Sequence, residues 1–74
     1  MKKNERIALY KIVWCKIRYR QSLRDIPDED LASALDVRER TLHEYDKCAK
    51  HITLEKIDNF LVINKMELQE LLTL

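Results

Sequence analysis

The 74-residue sequence contains no glycine and only one proline, and these two shortages limit the folds and sites that it can form. Tight hairpin turns need backbone with positive φ, which glycine adopts most easily, so a protein built from many β-hairpins is disfavoured. Glycine-rich phosphate-binding loops and dinucleotide-binding motifs are excluded outright. The composition therefore favours an all-α fold, a compact bundle of helices with short connections.

Cysteine is also scarce. The chain has only Cys15 and Cys48, which could form one disulfide at most. Small secreted scaffolds usually carry four or more cysteines, so we expect reduced thiols in a cytoplasmic protein. Cys48 and His51 have a Cys-x-x-His spacing, but zinc needs four well-placed ligands and no second close pair accompanies them. We expect no metal ion and no other cofactor. No nucleophile stands in a recognisable arrangement with a base, so we expect no catalytic residues and no enzymatic activity.

Long apolar runs are absent. The richest apolar stretch, residues 7–17, is 11 residues long and contains Lys11 and Lys16. It is too short and too charged to cross a bilayer, and Glu5 and Arg6 interrupt the apolar core that a signal peptide needs. We therefore expect no association with a membrane.

The net charge of +1 hides an uneven distribution. Residues 1–24 carry eight bases and one acid, a net charge of +7, whereas residues 25–74 carry six bases and twelve acids, a net charge of −6. A nucleic-acid-binding protein usually concentrates bases on its reading face. Here the surplus lies in the first third of the chain, where the basic first helix also suits an acidic protein partner.

Apolar residues recur at helical spacing in five segments of one domain, residues 1–74. The predicted helices span about 4–21, 28–35, 39–47, 54–63 and 66–73. Asn4 and Thr53 are suitable N-caps for the first and fourth helices. Pro27 suits the start of the second helix, and Asn64 can end the fourth in the left-handed conformation.

The same periodicity predicts one apolar core. Its expected members are Leu31, Leu35, Val37, Leu42, Tyr45, Leu54, Ile57, Phe60, Leu68 and Leu71. We expect Cys15 to be a small core residue on the apolar first helix. The first helix carries more apolar residues than one side of a small bundle needs, and Leu74 has no evident place in the core.

The apolar spacing from residue 28 to residue 72 matches a known family. The matching positions are Leu31-Ala32, Leu35, Val37, Thr41-Leu42, Tyr45, Asp46, Leu54, Ile57, Phe60, Met66, Leu68 and Glu70-Leu71-Leu72. This pattern resembles the Xre family, the phage-repressor and Cro type of helix-turn-helix protein. The resemblance implies a compact five-helix, lambda-repressor-like fold, with the second and third helices as the helix-turn-helix and the third as the recognition helix. The small size is similar to that of regulators from phages and mobile elements.

A recognition helix must present one polar face, because a major groove about 12 Å wide admits a single helix. The residues expected on this face and in the loop after it are Arg38, Glu39, Arg40, His43, Glu44, Lys47, Lys50 and His51. Arg40 can read guanine, and Glu39 or Glu44 can accept a hydrogen bond from cytosine. Lys47, Lys50 and His51 are placed to meet phosphates. A solvated helix face has the same composition, so the pattern alone does not distinguish a face that reads DNA from one that only contacts water.

The sequence departs from the family pattern at the start of the second helix. The family commonly has glutamine where this chain has Asp28, and Glu29 and Asp30 follow it. Carboxylates at a helix N-terminus occupy the position where a phosphate would bind and repel it. Asp36 replaces the family's turn glycine, and aspartate tolerates the required backbone conformation.

Two functions therefore stay open at this stage. The first is a sequence-specific DNA-binding transcriptional regulator that reads double-stranded DNA with residues 39–47. The second is a protein-interaction module, an antagonist or assembly factor, that keeps the fold and binds DNA weakly or not at all. We expect a homodimer, because it would cover the surplus apolar surface and present two reading heads about 34 Å apart. The alternative is a monomer in which residues 22–27 cover that surface.

Overall fold

The computed structural model describes residues 6–74, which form five helices and no strand. The helices are α1 (Leu9–Leu23), α2 (Asp28–Leu35), α3 (Glu39–Lys47), α4 (Leu54–Ile63) and α5 (Leu68–Leu72). Helix α2 packs against both α3 and α4, and α1 packs against α5. The predicted all-α bundle is confirmed, and the placement of α2 and α3 is compatible with a helix-turn-helix. No helix in this part of the chain is both long and apolar enough to cross a bilayer.

The bounds of α2, α3 and α4 are those predicted, whereas both terminal helices differ. Helix α1 was predicted to span residues 4–21. It begins later, at Leu9, after the non-helical residues 6–8, and it ends later, at Leu23. The predicted cap Asn4 lies outside the described residues. Helix α5 is shorter than residues 66–73, because a capping box fixes its start: the Glu67 amide donates to Glu70 Oε1 over 2.7 Å.

Three helices end in the same way, without glycine. Asp25, Asp36 and Lys65 follow α1, α2 and α4 with φ values of 52°, 60° and 55°, in the left-handed region. The amide of the next residue then donates to a carbonyl five residues back, as Val37 does to Ala32 over 3.0 Å. These are Schellman motifs, and the apolar residue after each left-handed position packs against the core.

The two predicted caps of α4 differ in how well they match the structure. The N-cap prediction is confirmed, because Thr53 Oγ1 accepts a hydrogen bond from the Lys56 amide over 3.3 Å. Asn64 ends α4 as its C-cap, as predicted, but the predicted left-handed conformation is wrong, because Asn64 has φ −86° and the next residue, Lys65, is the left-handed one. Instead, Asn64 Nδ2 donates to the Phe60 carbonyl over 2.8 Å, which satisfies one of the last carbonyls of the helix.

The buried core draws on all five helices and on the α3–α4 connection. Its members are Val13, Trp14, Ile17, Leu31, Ala32, Ala34, Leu35, Leu42, Ala49, Ile57, Phe60 and Leu71, with Val37 and Tyr45 packed half-buried against it. Two predicted members are exposed, Leu54 at 84% and Leu68 at 45%. Each is the first residue of its helix, so its side chain lies at the edge of the bundle although it falls on the apolar stripe.

Two further predictions about side-chain placement are wrong. Cys15 is exposed, because α1 turns Val13, Trp14 and Ile17 towards the core and Cys15 lies on another side of the helix. Leu74 does have a place, since it packs half-buried against the core while its carbonyl accepts from Lys16 Nζ over 2.6 Å.

Candidate nucleic-acid interface

Helix α3 is amphipathic over its nine residues. Leu42 is fully buried, and Thr41 and Tyr45 are half-buried beside it. All eight predicted interface residues are exposed: Arg38, Glu39, Arg40, His43, Glu44, Lys47, Lys50 and His51. The burial of Leu42 therefore turns one polar side of α3 outward as a continuous surface, which we call the α3 face (Glu39, Arg40, His43, Glu44 and Lys47).

The remaining three residues lie at the two ends of α3. Arg38 is the N-cap residue and is exposed at the start of the helix, where its guanidinium, which has no acceptor, cannot cap the helix amides. Lys50 and His51 lie in the connection to α4, which the buried Ala49 holds against the core. Within residues 6–74, Arg40, Lys47 and Lys50 make no ion pair, so their charges are available to a ligand.

A polar cluster that the sequence reasoning missed fixes α3 against the bundle. Its centre is Arg18 of α1, whose Nε and Nη2 donate to the two carboxylate oxygens of Asp46 over 3.0 and 2.8 Å. Trp14 Nε1 also donates to Asp46 Oδ1, over 2.8 Å. The Arg18 guanidinium lies 5.4 Å from the centroid of the Trp14 ring, at cation–π distance. Two side chains of α1 thus hold one carboxylate of α3.

The same arginine also reaches the start of α2. Arg18 Nη1 donates to Asp28 Oδ1 over 2.8 Å and to Gln21 Oε1 over 2.7 Å. Gln21 is buried, and its Nε2 donates to Asp28 Oδ1 over 2.7 Å and to the Ile26 carbonyl over 3.0 Å. We call Trp14, Arg18, Gln21, Asp28 and Asp46 the Arg18 network. It joins α1, α2 and α3 at one point.

The network shifts the pKa values of its charged members. The hydrogen bond from Gln21, followed by that from Arg18, lowers the pKa of Asp28, and the hydrogen bond from Arg18 lowers the pKa of Asp46. The hydrogen bond to Asp46 in turn raises the pKa of Arg18. At neutral pH both carboxylates are ionised and the guanidinium is charged, as their ordinary pKa values already require, and the shifts extend the ionised range of each group. Arg18 carries one positive charge against two carboxylates, so Asp28, Arg18 and Asp46 together have a net charge of −1, and Glu29 and Asp30 stay exposed to solvent.

His43 connects the α3 face to this network. Its Nε2 lies 3.9 Å from Asp28 Oδ2 and its Nδ1 lies 3.8 Å from Asp46 Oδ2, while 64% of its side chain is exposed. The imidazole therefore lies between the two carboxylates, at the point where the α3 face meets the Arg18 network.

The cysteine, histidine, aspartate and glutamate side chains do not form a metal centre in the part of the chain that the structure describes. No group of three or more His, Cys, Asp or Glu side chains is placed to hold an ion there. Cys15 and Cys48 are both free and exposed.

Comparison with known proteins supplies no relative. No protein-family model, no curated protein and no solved structure matches this chain.

Proposed function

We propose that the protein is a sequence-specific DNA-binding transcriptional regulator of the Xre type, which reads the major groove with α3 and acts as a dimer. The observation that carries the proposal is the α3 face, whose polar side chains are all exposed while Leu42 anchors the opposite side of the helix in the core. A recognition helix needs this combination of an open polar face and a fixed orientation.

The side chains of the proposed reading head divide into two roles. Arg40 can donate two hydrogen bonds to guanine, and Glu39 and Glu44 can accept from cytosine. Arg38, Lys47, Lys50 and His51 lie around the helix, where they can contact phosphates and set its register on the duplex. The Arg18 network supports both roles, because it holds α3 at a fixed angle to α1 and α2.

A titration against random duplex DNA at low and moderate salt tests the proposal. Binding should be detectable at low salt and should weaken steeply as salt rises, with a slope of about −0.9 per phosphate contacted. Binding that is absent at low salt would contradict a DNA-reading function.

Replacing Arg40 and Lys50 by alanine should have different effects. Arg40→Ala is expected to reduce discrimination between a selected site and random DNA by about 1–3 kcal/mol, because it removes a base contact. Lys50→Ala should weaken binding to all sequences alike and reduce the salt slope by about 1, because it removes a phosphate contact. Lys65→Asn is a matched control, since it removes a positive charge before α5 and asparagine tolerates the left-handed backbone there. Unchanged affinity in both alanine variants would show that α3 is not the reading head.

The acidic first turn of α2 favours the second candidate, a protein-interaction module with weak or no DNA binding. Asp28, Glu29 and Asp30 place three carboxylates at the helix end where a phosphate would otherwise bind. Such a surface would instead suit a basic protein partner, and the basic α1 an acidic one.

The substitution Asp28→Gln separates the two candidates. If α2 approaches the DNA backbone, removing this charge should tighten binding several-fold at low salt, because the summed charge of Asp28, Arg18 and Asp46 rises from −1 to 0. Stability should fall slightly, since Arg18 loses one carboxylate partner. Equal or weaker DNA binding, measured on the folded variant, would favour the protein-interaction module.

A further inference from the structure

Three exposed leucines surround one apolar groove on the side formed by α1, α4 and α5. Leu9, Leu54 and Leu68 are 59%, 84% and 45% exposed, and they stand at the edge of a cavity of about 550 Å³. The buried Ile57 forms part of its floor. Scattered surface leucines need no explanation, but several around one concave apolar surface are typical of an interaction site.

The charges of the groove restrict what can fill it. Asp58 and Glu67 are the charged residues among those that line it, and both are acidic. An occupant should therefore combine apolar side chains with positive charge. The chain itself carries such a segment where it enters α1, because Arg6 and Ile7, which is 61% exposed, precede the helix and Leu9 is its first residue.

The position of Leu9 makes this contact reciprocal. Because Leu9 lines the groove, the start of α1 lies at the groove's own edge. A two-fold axis near Leu9 would carry the start of α1 of each copy across the groove of the other, so the same surface serves both partners. The groove contains no residue of α2 or α3, which leaves both α3 faces open.

We propose that the groove between α1, α4 and α5 binds a second copy of this chain, with Arg6 of one copy facing Asp58 of the other. The interface itself does not depend on DNA binding. Only the role of the dimer, which is to present two α3 faces to DNA, rests on the proposed function. The leucines exposed at the starts of α4 and α5 become buried in this interface.

Sedimentation equilibrium of the full chain at tens of micromolar, without DNA, tests the interface. The expected mass is twice the 8.9 kDa of one chain. Leu54→Ser should weaken the dimer at least tenfold without loss of helicity, because Leu54 is 84% exposed in a single copy. Val62→Ser is the matched control, since Val62 is a 67% exposed residue of α4 outside the groove, and it should leave the mass unchanged.

A charge exchange tests the orientation of the two copies. Arg6→Glu and Asp58→Arg should each weaken the dimer, and the double variant should restore it, because the pair is re-formed with opposite signs. A monomeric parent chain, or a Leu54→Ser variant that dimerises as well as the parent, would overturn the inference, and so would a double variant no stronger than either single one. A dimer that fails to bind DNA would instead contradict the proposed function and leave this interface standing.

Discussion

Replacing Leu42 by alanine is expected to lower the free energy of unfolding by about 2–5 kcal/mol. Leu42 is fully buried, and it is the only residue of α3 that is buried. The substitution removes the apolar contacts that hold α3 on the bundle and leaves a cavity that the surrounding helices can fill only in part. A small domain has a total stability near this range, so the variant should be largely unfolded at 25 °C.

Urea unfolding, followed by far-ultraviolet circular dichroism, measures this effect. Leu23→Ala is the matched control, because Leu23 is 54% exposed at the end of α1 and lies outside the groove. A surface substitution of this kind should change stability by less than about 0.5 kcal/mol. Equal stability of the Leu42 and Leu23 variants would show that α3 does not pack as described.

Replacing Arg18 by alanine should lower stability by about 1–2 kcal/mol and change its dependence on pH. Arg18 is the shared hydrogen-bond donor of Asp28, Asp46 and Gln21, and its loss leaves two carboxylates without their cation. Charge-assisted hydrogen bonds of this kind contribute more than neutral ones, but the carboxylate side chains are 35% and 41% exposed, so water replaces part of the loss.

The pH dependence follows from the direction of two pKa shifts. The pKa values of Asp28 and Asp46 are lower in the folded protein than in the unfolded chain, so the unfolded chain binds more protons in acid. Their contribution is complete above the unfolded pKa of about 3.9 and is lost as pH falls through the folded values. Arg18→Ala removes a cause of both shifts, so its stability should decline less steeply than that of the parent between about pH 5 and pH 2.

Urea midpoints measured from pH 7 to pH 2 report both effects. Arg24→Ala is the control, because Arg24 is an exposed arginine of the α1–α2 connection that makes no ion pair within the described residues. Parent-like stability and a parent-like acid profile in Arg18→Ala would contradict the Arg18 network. If the folded Arg18→Ala variant also binds DNA more weakly than the parent, the Arg18 network positions α3 to read DNA.

Several features of the fold follow from local signals in the sequence, although the capping box that shortens α5 is also local and was missed. Pro27 and Thr53 mark the starts of α2 and α4, and the apolar period predicts the burial of Leu42. Periodicity wrongly predicts that Leu54 and Leu68 are buried. It identifies the apolar face of a helix, but it does not show that the first residue of that face lies beyond the edge of the bundle.

The candidate site was predictable only in part, for a similar reason. The α3 face could be identified from its own helical spacing once Leu42 was placed inside. The Arg18 network could not, because Arg18 meets Asp28 and Asp46 at separations of 10 and 28 residues. No periodicity within a single helix indicates which distant carboxylates an arginine will reach.

The helices differ in how far along the chain the contacts that fix them lie. The Schellman motifs after α1, α2 and α4 each close within six residues, so local hydrogen bonds set the ends of these helices. Helix α3 ends differently, because Cys48 is extended at φ −163° and its amide bonds only to Glu44. The position of α3 on the bundle depends on distant partners, among them the contact between Trp14 and Asp46, which lie 32 residues apart. Closing a loop of this length costs chain entropy, so the orientation of the proposed reading helix rests on contacts that no local motif supplies.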